Sequence, residues 1–479
     1  MKPHFALLTG AVIVLSVLPA MADEAALTKR LDEMQKMIDA QQRQIDARDD
    51  RSRLDSQEQT QASVSNGRLS LTSADGRFSA QLRLTGQFDV ADYMQGSKAR
   101  ALALGPDLSS GANFRRAQIG LQGKLFGDWS YYFNIDYGSG GSTGTESPGH
   151  IQQAYVEYDG LAPFTVRIGA HPPSTGLDDS YAATDQLLME RSAPGDATRN
   201  MAGGDGHDSF ELLYLGDRLF GSLALTGDKV QETTLLFDEQ QALVARIAAV
   251  VYSDNDWRLV GSLASTDVFR PGDSTSALNS PRPFSISNPP ELIVDDNSTK
   301  FVSVSDANVT DAWDWNLEGA ATYDNFLAQG GYFKYGIDQR GIATLRGQGF
   351  NGWYAEGSWV LTGEARGWST ATGSFTNPKP RINFSLPGGG WGAFELAARY
   401  SDLNLNDNIG LAGAATPAGG IRGGEQRIAT MGLNWYPNTA LKFTLQFQNT
   451  QVSHINAATP FGSLNQNFDT VAFRTQVAF

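Results

Sequence analysis

Two arginines, Arg115 and Arg116, stand side by side near the head of the stretch NFRRAQIGLQGKLFG. Single arginines recur in other segments that alternate apolar and polar residues: Arg83 in FSAQLRLTGQFDV, Arg167 between Val166 and Ile168, and Arg246 between Ala245 and Ile247. A guanidinium keeps its charge at any working pH and presents five N–H donors in a planar fork, so a set of them suits carboxylates and oxyanions. Other chemistries are poorly represented. The chain has no cysteine, which removes disulfides, thiolate metal sites and thiol nucleophiles. The five histidines, His4, His150, His171, His207 and His454, do not fall at metal-ligand spacing, and GGDGHD (203–208) lacks the spaced oxygen ligands of a calcium loop. Neither a nucleophile elbow nor a phosphate-binding glycine loop between strand and helix is present. These residues predict a protein that binds or conducts, not an enzyme, with no cofactor and no metal.

The elements that carry the arginines have a period of two. In FSAQLRLTGQFDV the apolar Phe78, Ala80, Leu82, Leu84, Phe88 and Val90 alternate with the polar Ser79, Gln81, Arg83, Thr85, Gln87 and Asp89. In WSYYFNIDY the residues Trp129, Tyr131, Phe133, Ile135 and Tyr137 share one face; in LKFTLQFQ, Leu441, Phe443, Leu445 and Phe447 do. Sixteen or seventeen such segments run to the C-terminus, with poor patterning between 284 and 307. They are longer than ordinary soluble strands and match the 9–11 residues that a tilted strand needs to cross a bilayer. Aromatics cluster at their ends, as interfacial girdles require. Short turns such as Gly127-Asp128 and Gly216-Asp217 alternate with long polar excursions, among them 97–112, 138–149, 171–207, 266–299, 364–390, 403–424 and 453–466. The predicted architecture is an all-β transmembrane barrel of about 16 antiparallel strands over 67–479, closed so that every backbone group is paired in lipid. By parity Arg83, Arg116, Arg167 and Arg246 face the lumen, and Arg115 faces lipid unless a bulge turns it inward.

Residues 1–22 read as a secretory signal, with Lys2, an apolar core from Phe5 to Leu18 and the cleavage site Ala20-Met21-Ala22. The chain beyond it carries 36 basic against 52 acidic residues, a balance that argues against nucleic acid as a partner. Residues 23–66 have no aromatic residue, and Leu31, Ile38 and Ile45 with Leu27, Met34 and Gln41 set out a heptad seam. The prediction is a short coiled-coil helix, periplasmic, followed by a linker from Asp46 to Asp55. The terminal Phe479 ends an amphipathic strand in the manner of bacterial outer-membrane barrels.

The chain resembles the phosphate-selective porin O/P family (OprO/OprP-like outer-membrane porins). The likeness is carried by QLRLTGQFD (81–89), NFRRAQIGLQGKLFGDWSYYFNIDYG (113–138), QQAYVEY (152–158), FTVRIGAH (164–171), GLDDSYAATDQLLMERS (176–192) and the region near Arg282. It implies a 16-stranded homotrimer whose third loop folds inward as a constriction, with basic residues lining the pore and small inorganic anions or polar solutes passing through. Arg83, the Arg115–Arg116 pair and the strand acid Asp136 match the family's inward positions. In one respect the match fails: relatives that select phosphate carry lysines after the GL pair, whereas this loop reads Asp178, Asp179, Asp185 and Glu190, with Arg191 its one cation. The implied function is passive diffusion of small anions, phosphate or other oxyanions among them, through an arginine-lined lumen across the outer membrane. A weakly selective diffusion porin and an envelope tether or adhesin are the alternatives.

Overall fold

The computed structural model describes residues 24–58, 60–65, 67–96, 108–138, 149–201, 204–230, 237–295, 299–341, 347–455 and 463–479; the signal expected at 1–22 lies outside them. The chain divides into two compact units, up to Thr60 and from Gln61.

The first unit is the helix α1 (Glu24–Glu58). The charge run expected to be a linker instead continues this helix. No Gly or Pro falls between 24 and 58, and Asp, Arg and Gln cost a helix only tenths of a kcal/mol each. Side chains four apart support it, with Lys36 3.0 Å from Asp32 and Gln35 donating to Asp39. Leu31, Met34, Ile38 and Ile45 lie along the seam with more than half their surface exposed. Among the described residues no helix is long and apolar enough to cross a membrane.

The second unit opens with a hairpin, β1 (Gln61–Ser65) and β2 (Arg68–Thr72), which pairs onto the first wall strand. Sixteen antiparallel strands then close on themselves. The first eight are β3 (Ser79–Met94), β4 (Gly111–Leu125), β5 (Trp129–Asp136), β6 (His150–Leu161), β7 (Phe164–Ala170), β8 (His207–Leu215), β9 (Leu219–Lys229) and β10 (Gln241–Ser253). Next is β11 (Trp257–Arg270). The poorly patterned stretch forms a separate small ribbon, β12 (Phe284–Asn288) with β13 (Val302–Asp306), and is no part of the wall. The wall resumes with β14 (Val309–Tyr323), β15 (Phe326–Gln339) and β16 (Gln348–Val360). A second ribbon, β17 (Arg366–Ser369) with β18 (Ser374–Pro378), precedes β19 (Ala393–Asp407), β20 (Ile421–Tyr436), β21 (Leu441–Ile455) and β22 (Ser463–Ala478).

Closure comes from β22 against β3, in register from Asp469↔Met94 to Ala478↔Thr85. Phe479 extends it: its N–H donates to the Leu84 carbonyl (3.0 Å) and its own carbonyl accepts from Leu84 (2.9 Å). Gly67, at φ 81°, sits against the Phe479 ring, where an added Cβ would already be at 3.4 Å. Along β3 the polar Gln87 and Asp89 are buried in the lumen while Phe88 and Val90 are exposed outward, the alternation that a membrane barrel requires. Neighbouring aromatics ring the short-turn end, including Trp129 with Tyr158, Trp257 with Tyr323, and Phe326 stacked on Trp359.

Residues 171–201 leave β7 and fold into the lumen, carrying the short helix α2 (Ala193–Met201). The connection 361–392, expected over 364–390 among the long outer loops, lies elsewhere. It leaves β16 at the end where the short turns lie, and its ribbon enters the lumen from there: Asn377 donates to the Thr184 carbonyl (2.7 Å) and Ser374 to the Ser180 carbonyl (2.9 Å). Deleting Phe479 removes two ladder hydrogen bonds at the seam, each worth about 1 kcal/mol. The expected outcome is a lower temperature of conversion from the folded to the unfolded band in gel mobility, with Phe479→Ala, which keeps both bonds, falling between deletion and wild type.

Candidate functional site

The constriction follows from which side of the wall the infolded segment is tied to. Tyr181, Leu177, Leu187 and Leu188 bury against Val260, Ala320 and Leu327. Glu318 on β14 accepts the backbone N–H of both Leu177 and Asp178. Lys442 donates to the Gln186 carbonyl (2.5 Å), Asn434 to that of Leu187 (2.8 Å), and Gln446 accepts from the Met189 N–H (3.0 Å). Arg399 on β19 holds the Glu190 carbonyl (3.0 Å) and, at 2.5 Å, Glu291 from the connection between β11 and β14. The wall residues among these lie on β11 and β14–β21; Arg246 on β10, Arg474 and Gln476 on β22, Arg115 on β4 and Gln87 on β3 add further ties. The lumen stays open along the rest of the opposite wall, β3–β9, as a cavity of about 550 Å³.

The predicted arginines separate by their partners. Arg83 points into the cavity, donates to Gln122 (2.9 Å) and has no ion pair among the described residues. Arg116 donates to Gln87 (2.7 Å) and likewise has no carboxylate partner there. Arg115 is the extra residue of a bulge: Gln87 pairs with Arg116 and Phe88 with Phe114, so Arg115 is turned inward. There it grips Glu190 through two hydrogen bonds of 2.8 and 3.1 Å. Arg167 lines the cavity between Glu157 (2.5 Å) and Glu211 (2.9 Å). Arg191 braces the infolded segment, 3.2 Å from Asp179 and donating to the carbonyls of Asp179 and Tyr181.

Of the predicted pore-lining residues Arg115, Arg246 and Asp136 stand outside the cavity lining, as do the loop acids Asp178, Asp185 and Glu190. Arg246 donates to Ser262, Ser174, Ser180 and the carbonyls of Thr372 and Gly373. It fastens both infolded segments, and its donors are occupied. Asp136 accepts from the N–H groups of Ala117 (2.9 Å) and Gly138 (2.7 Å) and from Gln118 (2.8 Å), tying β4 to β5. The loop acids are also partnered. Asp178 accepts the Ser192 hydroxyl (2.7 Å), and Ser192 caps α2 through the Gly195 N–H. Asp185 accepts from the Asn377 N–H (3.3 Å).

Sequence reasoning passed over the cation and acid that complete the segment. Arg199 on α2 bridges Asp179 (2.7 Å) and Asp205, so the GGDGHD stretch supplies an ion-pair partner. It also passed over a tyrosine pair, Tyr132 on β5 stacked on Tyr155 of β6 at 5.4 Å. The signal was present in WSYYFNIDY, where Tyr132 falls on the polar parity. The cavity lining holds five arginines (Arg83, Arg116, Arg167, Arg191, Arg199) and four carboxylates (Glu157, Asp179, Asp205, Glu211), one positive charge in excess.

In the infolded segment burial wins at Asp185 and Asp196 and raises their carboxyls, whereas at three other acids neighbouring cations outweigh it. Arg115 and Arg474 hold Glu190 well below the ordinary range, Arg199 and Arg191 do so for Asp179, and Arg199 takes Asp205 down to about 2. Burial, with Arg167 adding, pushes His171 down to about 3, so it is neutral at neutral pH.

A closed sixteen-strand wall, apolar outside and polar within, with an infolded segment narrowing an open lumen, defines a channel of the outer-membrane porin class. The family model for phosphate-selective porin O and P matches residues 84–225 and 251–479, and the chain belongs to that family. Porin O of Pseudomonas aeruginosa is 25% identical over 356 residues, covering 72% of this chain and 77% of its own. A protein of Caulobacter vibrioides is 23% identical over 386 residues, 80% of this chain and 70% of its own. Among solved structures, the outer-membrane OmpT of Vibrio cholerae shares the fold with a TM-score of 0.50 at 8% identity, over 84% of this chain and 98% of that one.

Because Glu190 titrates below its unfolded value, its contribution is complete above about pH 4.3 and is lost only as pH falls through the lower folded value. Glu190→Gln is therefore expected to raise open-channel noise over wild type by the same amount at pH 7 and pH 5, because it removes the charge that latches Arg115 and leaves Arg474 with Asp89 (2.6 Å) as its one carboxylate.

Proposed function

We propose that this porin passes small anions passively and prefers them to cations through the field of its lumen. The observation that carries the reading is the pair Arg83 and Arg116, the two cavity-lining arginines without a carboxylate among the described residues. Every other arginine of that lining is neutralised by a neighbour. An anion near Arg83 or Arg116 meets a guanidinium with free donors, and in a narrow lumen of low dielectric that attraction is weakly screened. The two stand four residues apart along adjacent strands, about 13 Å at ~3.3 Å per residue, so an anion can be handed from one to the other.

Phosphate fits this lumen less well than a monovalent anion. The infolded segment brings no lysine, and its two cations, Arg191 and Arg199, both point at Asp179. The single excess charge favours a second reading, a weakly selective diffusion porin, over strong oxyanion binding. We further infer a secretory leader at 1–22, a periplasmic coiled coil along α1 and a homotrimeric assembly in the outer membrane.

Planar-bilayer recording in a potassium chloride gradient is expected to give an anion-selective reversal potential, with weak block by phosphate. Arg83→Ala with Arg116→Ala is expected to carry the permeability ratio towards unity and to weaken that block by about tenfold, the equivalent of about 1.4 kcal/mol. A cation-selective reversal in the wild-type channel would overturn the anion reading.

A further inference from the structure

One level of the open wall has a composition that ion conduction alone does not call for. Running across neighbouring strands there are Arg83 on β3, Gln122 on β4, Tyr132 on β5, Tyr155 on β6 and Arg167 on β7. Arg83 donates to Gln122 and lies 5.7 Å from the centre of the Tyr132 ring. Tyr132 and Tyr155 are paired in register and stacked with their planes 10° apart. Arg167 sits 4.7 Å from the Tyr155 ring centre. Both tyrosines are half-buried and line the cavity, and among the described residues neither hydroxyl has a hydrogen-bond partner.

The wall is kept flat at this level. Arg83 pairs across the sheet with Gly120, and Tyr155 with Gly169. A Cβ on Gly120 would come within 2.5 Å of the Phe133 carbonyl; one on Gly169, whose φ is +135°, would come within 2.7 Å of the Tyr155 Cα. A hydroxyl-free, uncharged way to fill this space would have been an aliphatic side chain. Two stacked phenols instead form a column between two guanidiniums, Arg83 over the Tyr132 ring and Arg167 over the Tyr155 ring, whose ring edges and hydroxyls are left for a solute and whose Arg83 end keeps free donors.

We propose that this belt is a subsite for small planar aromatic carboxylates, the ring lying along Tyr132 and Tyr155 while the carboxylate is held by Arg83. Edge-to-face contact with the two tyrosines favours the π-face of a flat aromatic ring over a puckered ring of equal size, and the guanidinium fork suits a carboxylate. Arg167 closes the far end of the stack, since Glu157 and Glu211 already occupy its donors. Inorganic anions use only the arginine; an aromatic carboxylate uses both parts. The inference rests on the channel reading above and adds a class of solute to it.

The test is block of chloride current through the full-length channel by benzoate, cyclohexanecarboxylate and acetate, added singly. Benzoate is expected to block at about fivefold lower concentration than either of the others. Tyr132→Leu with Tyr155→Leu is expected to bring the benzoate-to-acetate ratio close to one, and Tyr132→Phe with Tyr155→Phe to preserve it. Equal block by benzoate and cyclohexanecarboxylate in the wild-type channel would overturn the subsite, as would an unchanged ratio in the leucine variant. The wild-type comparison decides the matter even where the leucine variant does not assemble. A channel that conducts anions without discriminating between these acids refutes the subsite alone, and a cation-selective channel refutes the anion reading beneath it.

Discussion

The lumen depends on a one-sided attachment. Residues 171–201 draw most of their hydrogen bonds and apolar contacts from β10, β11 and β14–β22, with Arg115 on β4 and Gln87 on β3 as further ties, and the lumen stays open along the rest of β3–β9. A segment held equally by all sixteen strands would plug it. The wall opposite keeps short polar and aromatic side chains, and glycines at inward positions such as Gly120, so no second layer covers it. The ribbon from the other end of the barrel presses on the same segment through Asn377 and Ser374. Its position is thus defined from both ends of the pore.

Charge is arranged by the same asymmetry. Burying an ion without a partner costs several kcal/mol, and a buried pair offsets that cost only with good geometry and further hydrogen bonds. Behind the constriction those terms are met: Arg366 faces Glu395 at 2.8 Å, Arg399 faces Glu291, and Arg474 lies between Asp89 and Glu190. These pairs are neutral as seen from the pore and act as fasteners. Arg83 and Arg116 stand apart because each donates to a glutamine and has no carboxylate partner among the described residues. The acidic balance of the whole chain therefore says little about the field a permeating ion meets.

Much of the wall was legible because a period of two is a local property. Each residue's side is set by its neighbours, and strand starts such as His150, Gln241, Trp257, Phe326 and Leu441 coincide with the patterned segments. The lumenal side of Arg83, Arg116, Arg167 and Arg246 followed from the same rule. Their roles did not. Whether an inward arginine is free or occupied depends on residues far away in the chain, as with Arg246 and Gly373 or Arg115 and Glu190. The linker reading of 46–55 failed because charge density there was weighed above the absence of any helix breaker. The side on which 361–392 emerges depends on counting strands through 284–307, where the pattern is weakest.

The bulge at Arg115 shows what a wall of this kind can absorb. Alternation normally lets one residue in two reach the interior, and a substitution can change only what already points there. One extra residue in a strand puts two consecutive side chains inside, while the ladder resumes in register on either side, Phe88 with Phe114 and Gln87 with Arg116. Insertion rather than replacement thus adds a functional group to the interior without giving up an existing one. A family of such barrels has in single-residue insertions a way to diversify its lumen that leaves the lipid-facing surface and the strand count untouched.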